Sequence, residues 1–241
     1  MKFQFPIINQ FASILVLNIT NTLFQLLLIP ILIHNKASDK LGAYFLALSF
    51  SVLASIFVNF GTSQTAVVEI RKAKNEHETQ TILGETLALR FFPLCIAFII
   101  SCLLPILVNN GIYYLLVLPI VIAEFINPQF YLIAIYKVKR YTIVNLILRA
   151  GLIATIFLFK ENKSLIEITL LGTGVTMLAL NLIYLPSTFL KGGITNFLPT
   201  FKRVQNLYRI NILVVGNGLT VHLQQSMFLF ALPSFVTPIF L

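Results

Sequence analysis

Residues 41–68 constrain this chain more than any other stretch, because none of them is charged. About 20 apolar residues suffice for a helix to cross the ~30 Å hydrocarbon core of a bilayer. Six charges follow within ten residues: Glu69, Arg71, Lys72, Lys74, Glu76 and Glu78. Charged side chains are costly in lipid, so the helix has to leave the membrane there. The pattern predicts a transmembrane span and, over 69–84, a polar segment long enough for an amphipathic surface helix.

The composition excludes a soluble globular protein. Hydrophobic residues make up 58% of the chain and charged residues 10%, against about 25% charged residues in typical soluble domains. The mean hydropathy is +0.91. The net charge of +9 could point to nucleic acid, but the basic residues lie in short clusters between apolar runs. They indicate membrane topology, and no nucleic acid partner is expected.

The same alternation of apolar runs and polar breaks predicts seven spans. Backbone groups in lipid must be hydrogen-bonded within their own segment, so each span is predicted to be a helix. Pro30 and Pro128 are expected to kink or end the helices that contain them. The expected fold class is all-α, a polytopic transmembrane helix bundle. Its predicted spans cover 11–33, 42–67, 85–108, 112–136, 141–159, 165–190 and 209–232.

The orientation follows from the distribution of Lys and Arg, which are enriched in cytoplasmic loops. Four of these residues lie in the segments on the other side from the N-terminus, namely Lys36, Lys40, Lys160 and Lys163. Eleven lie on the side of the N-terminus: Lys2, Arg71, Lys72, Lys74, Lys137, Lys139, Arg140, Lys191, Lys202, Arg203 and Arg209. This asymmetry predicts a cytoplasmic N-terminus.

Three charged residues lie more than one helical turn inside predicted spans: Arg90, Glu124 and Arg149. A charge in mid-bilayer costs about 3 kcal/mol, so such residues usually face a cavity or a partner. One hypothesis is an anion site, in which the two guanidinium groups face an internal cleft and bind phosphate bidentately. Glu124 would then balance one of them or titrate during ion coupling. The alternatives are that Arg90 snorkels to the interface and that Arg149 and Glu124 form a structural pair.

No catalytic constellation is visible in the sequence. There is no Gly-rich phosphate loop, no Ser/His/Asp set and no pair of acidic residues in a pocket-like context. The three His residues are scattered, whereas a metal site needs several ligands in reach of one another. We therefore expect no enzyme activity, no cofactor and no metal.

Several positions near the ends of the first two spans and around the fourth and fifth form a pattern typical of one family. They are Pro30 to Leu32, Leu41 to Phe45, Asn59 to Gly61, Thr65-Ala66, Glu69-Ile70, Pro128 to Lys137, Tyr141, Asn145 and Arg149. In these positions the sequence resembles the Wzx-like polysaccharide biosynthesis flippases, which belong to the multidrug/oligosaccharidyl-lipid/polysaccharide superfamily. It departs from the family's Pro-x-Trp-x-x-Gln-Gly-x-Glu run at Phe130, Ile133, Ala134 and Tyr136.

The resemblance implies that the chain flips an undecaprenyl-pyrophosphate-linked oligosaccharide across the bacterial inner membrane, for O-antigen or capsule synthesis. Arg149, Arg90 and Glu124 would then contact the substrate. The implied partners are membrane lipids, a polysaccharide polymerase and a chain-length regulator. Because family members have more spans, the resemblance divides the chain into a six-helix N-terminal lobe (1–190), a cytoplasmic linker (191–208) and the start of a second lobe (209–241). It implies an incomplete transporter, which is not expected to be active alone.

Two other function classes remain open. A cation-coupled multidrug exporter of the same superfamily would need a cavity with carboxylates, for which Glu124 is the single candidate. A membrane enzyme of the polysaccharide pathway would need a large outer loop or an acid/base pair.

Overall fold

The computed structural model describes residues 4–34, 38–162, 164–189 and 201–236, with side chains for 8–34, 40–162, 164–189 and 202–223. All regular elements in these ranges are α-helices. They are α1 (Gln4–His34), α2 (Ser38–Asn59), α3 (Thr62–Lys72), α4 (Glu76–Leu107), α5 (Ile112–Leu116), α6 (Leu118–Phe125), α7 (Gln129–Ala134), α8 (Val138–Leu158), α9 (Leu165–Thr188) and α10 (Phe201–Val236).

The described residues contain six segments that are long and apolar enough to cross a membrane. Large apolar side chains cover the outside of the bundle, and Ile106 and Leu158 are 80% and 83% exposed. Such a surface is expected where lipid replaces water. The chain is therefore a multi-pass membrane protein with an all-helical fold. The six segments are Ile8–His34, Lys40–Lys72, Glu76–Leu107, Ile112–Ala134, Val138–Leu158 and Leu165–Thr188.

The predicted seventh span lies within α10, which begins at Phe201. Side chains of α10 beyond residue 223 are outside the described residues. The predicted linker divides at the start of this helix: residues 191–200 lie outside the described ranges, whereas 201–208 are the first two turns of α10.

The second span is not one continuous helix. It breaks at Phe60 and Gly61, which have φ angles of +46° and +73°. The chain resumes as α3 with the side chain of Asn59 as a cap, because its Oδ1 accepts a hydrogen bond from Ser63 N at 3.1 Å. The prediction of an unbroken helix over 42–67 was wrong here, since it considered hydropathy and overlooked the conformation that Gly61 permits.

The polar segment 69–84 is not a separate surface helix. α3 continues through Lys72, and α4 begins at Glu76. Asn75 caps α4, since its Oδ1 accepts a hydrogen bond from Glu78 N at 2.8 Å. Acidic residues in the first turn of a helix interact favourably with its dipole. The capping sequence thus starts the third span two turns earlier than hydropathy predicted.

The fourth span is also broken. α6 ends at Phe125 and α7 begins at Gln129, so Pro128 marks a full interruption between two short helices. Pro30, in contrast, lies inside α1, which continues to His34. Proline is tolerated in membrane helices where neighbouring groups satisfy the freed carbonyls. The fourth span is therefore interrupted at Pro128 as expected, whereas Pro30 does not end α1.

The two largest of four apolar cores in the described residues join most of the helices. The larger joins α1, α2, α5, α8 and α9 through residues such as Phe24, Leu28 and Tyr44. The smaller joins α3, α4 and α7 around Ala66 and Phe130. The smaller core lies at the end of the bundle where α3 finishes with Arg71 and Lys72 and where α8 and α10 begin. This end is called the basic end below.

α10 packs against α2, α3 and α4 near the basic end. Arg203 forms an ion pair with Glu85, with 3.0 Å between Nε and Oε1. Tyr208 donates a hydrogen bond from its hydroxyl to the carbonyl of Leu89, and its ring stacks edge-on against Phe60 at 4.6 Å between centroids. The start of α10 is thus attached to the bundle by polar and aromatic contacts at the α2–α3 break.

Candidate functional site

The two helix breaks lie side by side, and a carboxylate joins them. Asn59, at the end of α2, donates a hydrogen bond from Nδ2 to Glu124 Oε1. Asn127, in the α6–α7 break, donates from Nδ2 to Glu124 Oε2 at 3.0 Å. Both carboxylate oxygens of Glu124 therefore have an amide donor, one from each break.

Arg90 lies in the interior of the bundle between the same two breaks and is 0% exposed. Its Nε donates to Thr62 Oγ1, in the first turn of α3, at 2.8 Å. Its Nη1 lies 3.0–3.2 Å from three carbonyl oxygens at the end of α6, those of Glu124, Phe125 and Asn127. The guanidinium group also lies 4.9 Å from the ring centroid of Phe130. Arg90 consequently does not snorkel.

The contacts of Arg90 have a clear physical effect. The last carbonyls of a helix have no partner within that helix, and the C-terminus carries a partial negative charge. A cation that binds these carbonyls satisfies them and interacts with the dipole of α6. Arg90 thereby stabilises the end of α6 and ties it to the start of α3.

The predicted site residues are only partly brought together. Arg90 and Glu124 meet, although the contact runs through the Glu124 carbonyl rather than its carboxylate. Arg149 does not pair with Glu124: the ion pairs in the described residues are Lys40–Glu167 and Arg203–Glu85. That Arg149, Arg90 and Glu124 contact a substrate stays a prediction.

Arg149 lines a small polar cavity of about 50 Å³ within the bundle. Arg149 is 9% exposed. Its guanidinium group lies 4.6 Å from the ring centroid of Phe24, and its Nε has no hydrogen-bond partner. The other polar side chains around this cavity are Asn21, Asn127, Gln129, Tyr141, Asn145 and Asn181.

Hydrogen bonds hold most of these amides in one orientation. Tyr141 donates to Asn181 Oδ1 at 2.9 Å, and Asn181 donates to the carbonyl of Ala123 at 2.7 Å. Asn145 donates from Nδ2 to Asn21 Oδ1 at 3.2 Å. The cavity wall is therefore a preorganised polar surface built from α1, the α6–α7 break, α8 and α9.

A second, larger and open cavity lies at the basic end, at the start of α10. Its volume is about 980 Å³, and its lining includes Lys202, Arg203 and Arg209. Lys202 and Arg209 are exposed. The carboxylate of Glu85 raises the pKa of Arg203 through a hydrogen bond and its charge. The cavity thus presents cationic groups at the membrane boundary.

These basic residues were not predicted to form a site. Lys202, Arg203 and Arg209 were interpreted as topology signals, and the first two were placed in a linker. A helical interpretation of 201–209 would have found the pattern, because residues seven positions apart, such as Lys202 and Arg209, lie on the same helix face.

Comparison of the chain with known protein families, curated proteins and solved structures finds no match. Within the described ranges, no group of three or more His, Cys, Asp or Glu side chains could hold a metal ion. The candidate site therefore consists of the two cavities and the helix breaks beside them. Its chemistry is that of cationic and amide groups in a bundle of membrane-spanning helices.

Proposed function

We propose that this chain is part of a Wzx-like flippase that moves an undecaprenyl-pyrophosphate-linked oligosaccharide across the bacterial inner membrane. The observation that carries the proposal is the cavity of about 980 Å³ with Lys202, Arg203 and Arg209 in its lining. Cationic side chains bind pyrophosphate oxygens through charge-assisted hydrogen bonds.

The architecture fits the task of moving a polar head group across a bilayer. A pyrophosphate and its sugars are too polar to cross hydrocarbon unaided, whereas the lipid tail can stay in the bilayer. Transporters commonly use interrupted membrane helices beside their binding sites. The breaks at Phe60–Gly61 and 126–128 are two such interruptions, and α10 contacts the bundle at the first of them.

The charged residues within the spans have different roles in this proposal. Arg90 and Glu124 hold the two helix breaks together and act as positioning residues. Arg149 remains the predicted substrate contact inside the bundle. Its cavity of about 50 Å³ is too small for a pyrophosphate, so this contact forms only after the bundle opens.

The cation-coupled drug exporter receives less support. Such a protein would need carboxylates in a cavity that accepts a cationic drug. The lining of the two cavities in the described residues contains amides and cations but neither Asp nor Glu. Cations in the lining repel a cationic substrate and attract an anionic one.

The basic cavity can be tested by removing two of its charges. The double substitution Lys202→Gln with Arg209→Gln is expected to lower polysaccharide export about tenfold or more, since a hydrogen bond to a charged group is worth about 1.5–3 kcal/mol. Arg203 is left intact because it pairs with Glu85. Export is measured as surface polysaccharide in a flippase-deficient strain, relative to the amount of protein in the membrane.

The matched control replaces two exposed basic residues at the start of α8, Lys139→Gln with Arg140→Gln. This variant removes the same charge from the same end of the bundle but leaves the cavity unchanged, so export should remain normal. An equal loss in both variants would indicate a general electrostatic effect. Normal export in the cavity variant would contradict the proposed site.

The proposed orientation places the N-terminus and the basic end in the cytoplasm. A reporter fused after Asn162 should therefore be active as a periplasmic protein, and one fused after Lys139 as a cytoplasmic protein. Alkaline phosphatase activity and green fluorescence distinguish the two compartments. The reverse pattern would show that the basic end faces the periplasm and would contradict the proposed orientation.

A further inference from the structure

Arg149 is a buried cation with no anionic partner among the residues that the structure describes. Its side chain is 9% exposed, and neither ion pair in the described part of the chain includes it. The other charged residue predicted for the site, Glu124, has its carboxylate bonded to the amides of Asn59 and Asn127. The Arg149 charge is therefore not neutralised by a protein side chain within those ranges.

An uncompensated charge in this position is unfavourable. Transfer of an ion into the low-dielectric interior of a protein costs several kcal/mol even after relaxation. The ring of Phe24 interacts with the guanidinium group at 4.6 Å, but a cation–π contact contributes only about 2 kcal/mol when desolvated. A bound counter-ion would supply the missing compensation.

The cavity beside Arg149 has the size and the polarity for such an ion. At about 10–15 Å³ for each water, its volume of about 50 Å³ holds one monatomic anion with one or two waters. Arg149 Nε has no hydrogen-bond partner, and it can act only as a hydrogen-bond donor. Because Asn21 Oδ1 accepts from Asn145, the Nδ2 group of Asn21 is left to donate. A second amide side chain, that of Gln129, also lines the cavity.

We propose that this cavity binds a small inorganic anion of the size of chloride, which neutralises Arg149. Arg149 Nε and Asn21 Nδ2 donate hydrogen bonds to the anion, and the carboxamide of Gln129 supplies a further donor. The site is separate from the basic cavity at α10 and does not depend on the proposed flippase function. It ties α1 to α8, since Asn21 and Arg149 belong to these two helices.

The anion site is tested by thermal unfolding of the purified protein in detergent, with chloride exchanged for gluconate at constant ionic strength. Gluconate is too large for the cavity. A ligand that binds the folded state stabilises it in proportion to RT ln(1 + [L]/Kd). We expect the unfolding temperature to rise with the logarithm of the chloride concentration above Kd, and bromide to replace chloride. No difference between chloride and gluconate would indicate that the cavity holds only water.

Substitutions distinguish chloride binding in the cavity from a general effect of salt on stability. Arg149→Gln should lose the chloride-dependent shift, whereas Arg140→Gln, which removes an exposed charge from the same helix, should keep it. Asn21→Asp places a carboxylate in the cavity as an internal counter-ion. This variant should be more stable than the unmodified protein in gluconate and should no longer respond to chloride.

The Asn21→Asp variant keeps the proposal testable even if Arg149→Gln does not fold. A full chloride response in Asn21→Asp, or in a folded Arg149→Gln protein, would overturn the proposal. Because the measurement includes no transport step, its outcome is independent of the export assays. Loss of export with an intact chloride response would concern the flippase function alone.

Discussion

Replacement of Arg90 by alanine is expected to destabilise the protein so strongly that most of it no longer folds. The guanidinium group donates to Thr62 on α3 and to three carbonyls at the end of α6, and it is fully buried. Removal leaves these acceptors unsatisfied and a large void. We expect a loss of about 3–5 kcal/mol, a large fraction of the 5–15 kcal/mol of a typical protein.

Arg90→Lys should give an intermediate result. Lysine keeps the charge, but one ammonium group cannot reproduce the planar fork that reaches two helices at once. Both variants are compared with Lys139→Ala, which truncates an exposed side chain at the basic end. Stability is measured as the temperature at which the protein disappears from the monodisperse peak in size-exclusion chromatography.

This experiment also separates two roles for Arg90. If Arg90 is a positioning residue, stability and export should fall together in Arg90→Ala, and Arg90→Lys should restore part of both. If Arg90→Ala unfolds at the same temperature as the unmodified protein but fails to export, Arg90 contacts the substrate instead. The sequence-based hypothesis of an anion-binding Arg90 would then be correct.

Gly61→Ala is expected to weaken the attachment of α10 to the bundle. Gly61 has a φ angle of +73°, and an added Cβ atom would lie 2.9 Å from Val214 Cβ and 3.0 Å from Asn211 Oδ1, both on α10. The left-handed backbone costs an alanine about 1–2 kcal/mol, and overpacking costs about 1–3 kcal/mol. We expect a total destabilisation of about 2–4 kcal/mol in the same thermal assay.

A double variant identifies the steric part of this effect. Val214→Gly removes the Cβ and Cγ1 atoms that the new methyl group would meet. The loss in the double variant should therefore be smaller than the sum of the two single losses, because contacting residues are not additive. Gly42→Ala is the control, since nothing lies within 4 Å of its added Cβ. Strictly additive losses would show that α10 does not approach Gly61 in the membrane.

The two helix breaks differ in whether the local sequence predicts them. Pro128 was recognisable because proline lacks an N–H donor and disfavours a helical residue before it. The break at Gly61 was not recognised, because one glycine in an apolar run is compatible with a continuous helix. The capping hydrogen bond of Asn59 and the contact with Val214 favour the break, and the latter joins residues far apart in sequence.

For the charged residues within the spans, the sequence predicts their position in the membrane but not their partners. Hydropathy was enough to show that Arg90, Glu124 and Arg149 lie within spans and need partners. The partners of Arg90 are mainly backbone carbonyls, which every residue has, so no sequence pattern marks them. The amides around Arg149 come from α1, α8, α9 and the α6–α7 break, and their proximity depends on how these helices pack.

The sequence by itself predicted the membrane class, seven spans, six of which the described residues contain as long apolar segments, and the residues whose burial requires compensation. It could do so because transfer into lipid depends on residue type and run length alone. Only the tertiary structure decided which partners compensate each charge, that the second span breaks at Gly61 and which cations line a cavity. These features depend on distances between segments that are remote in sequence, and such distances are set by packing.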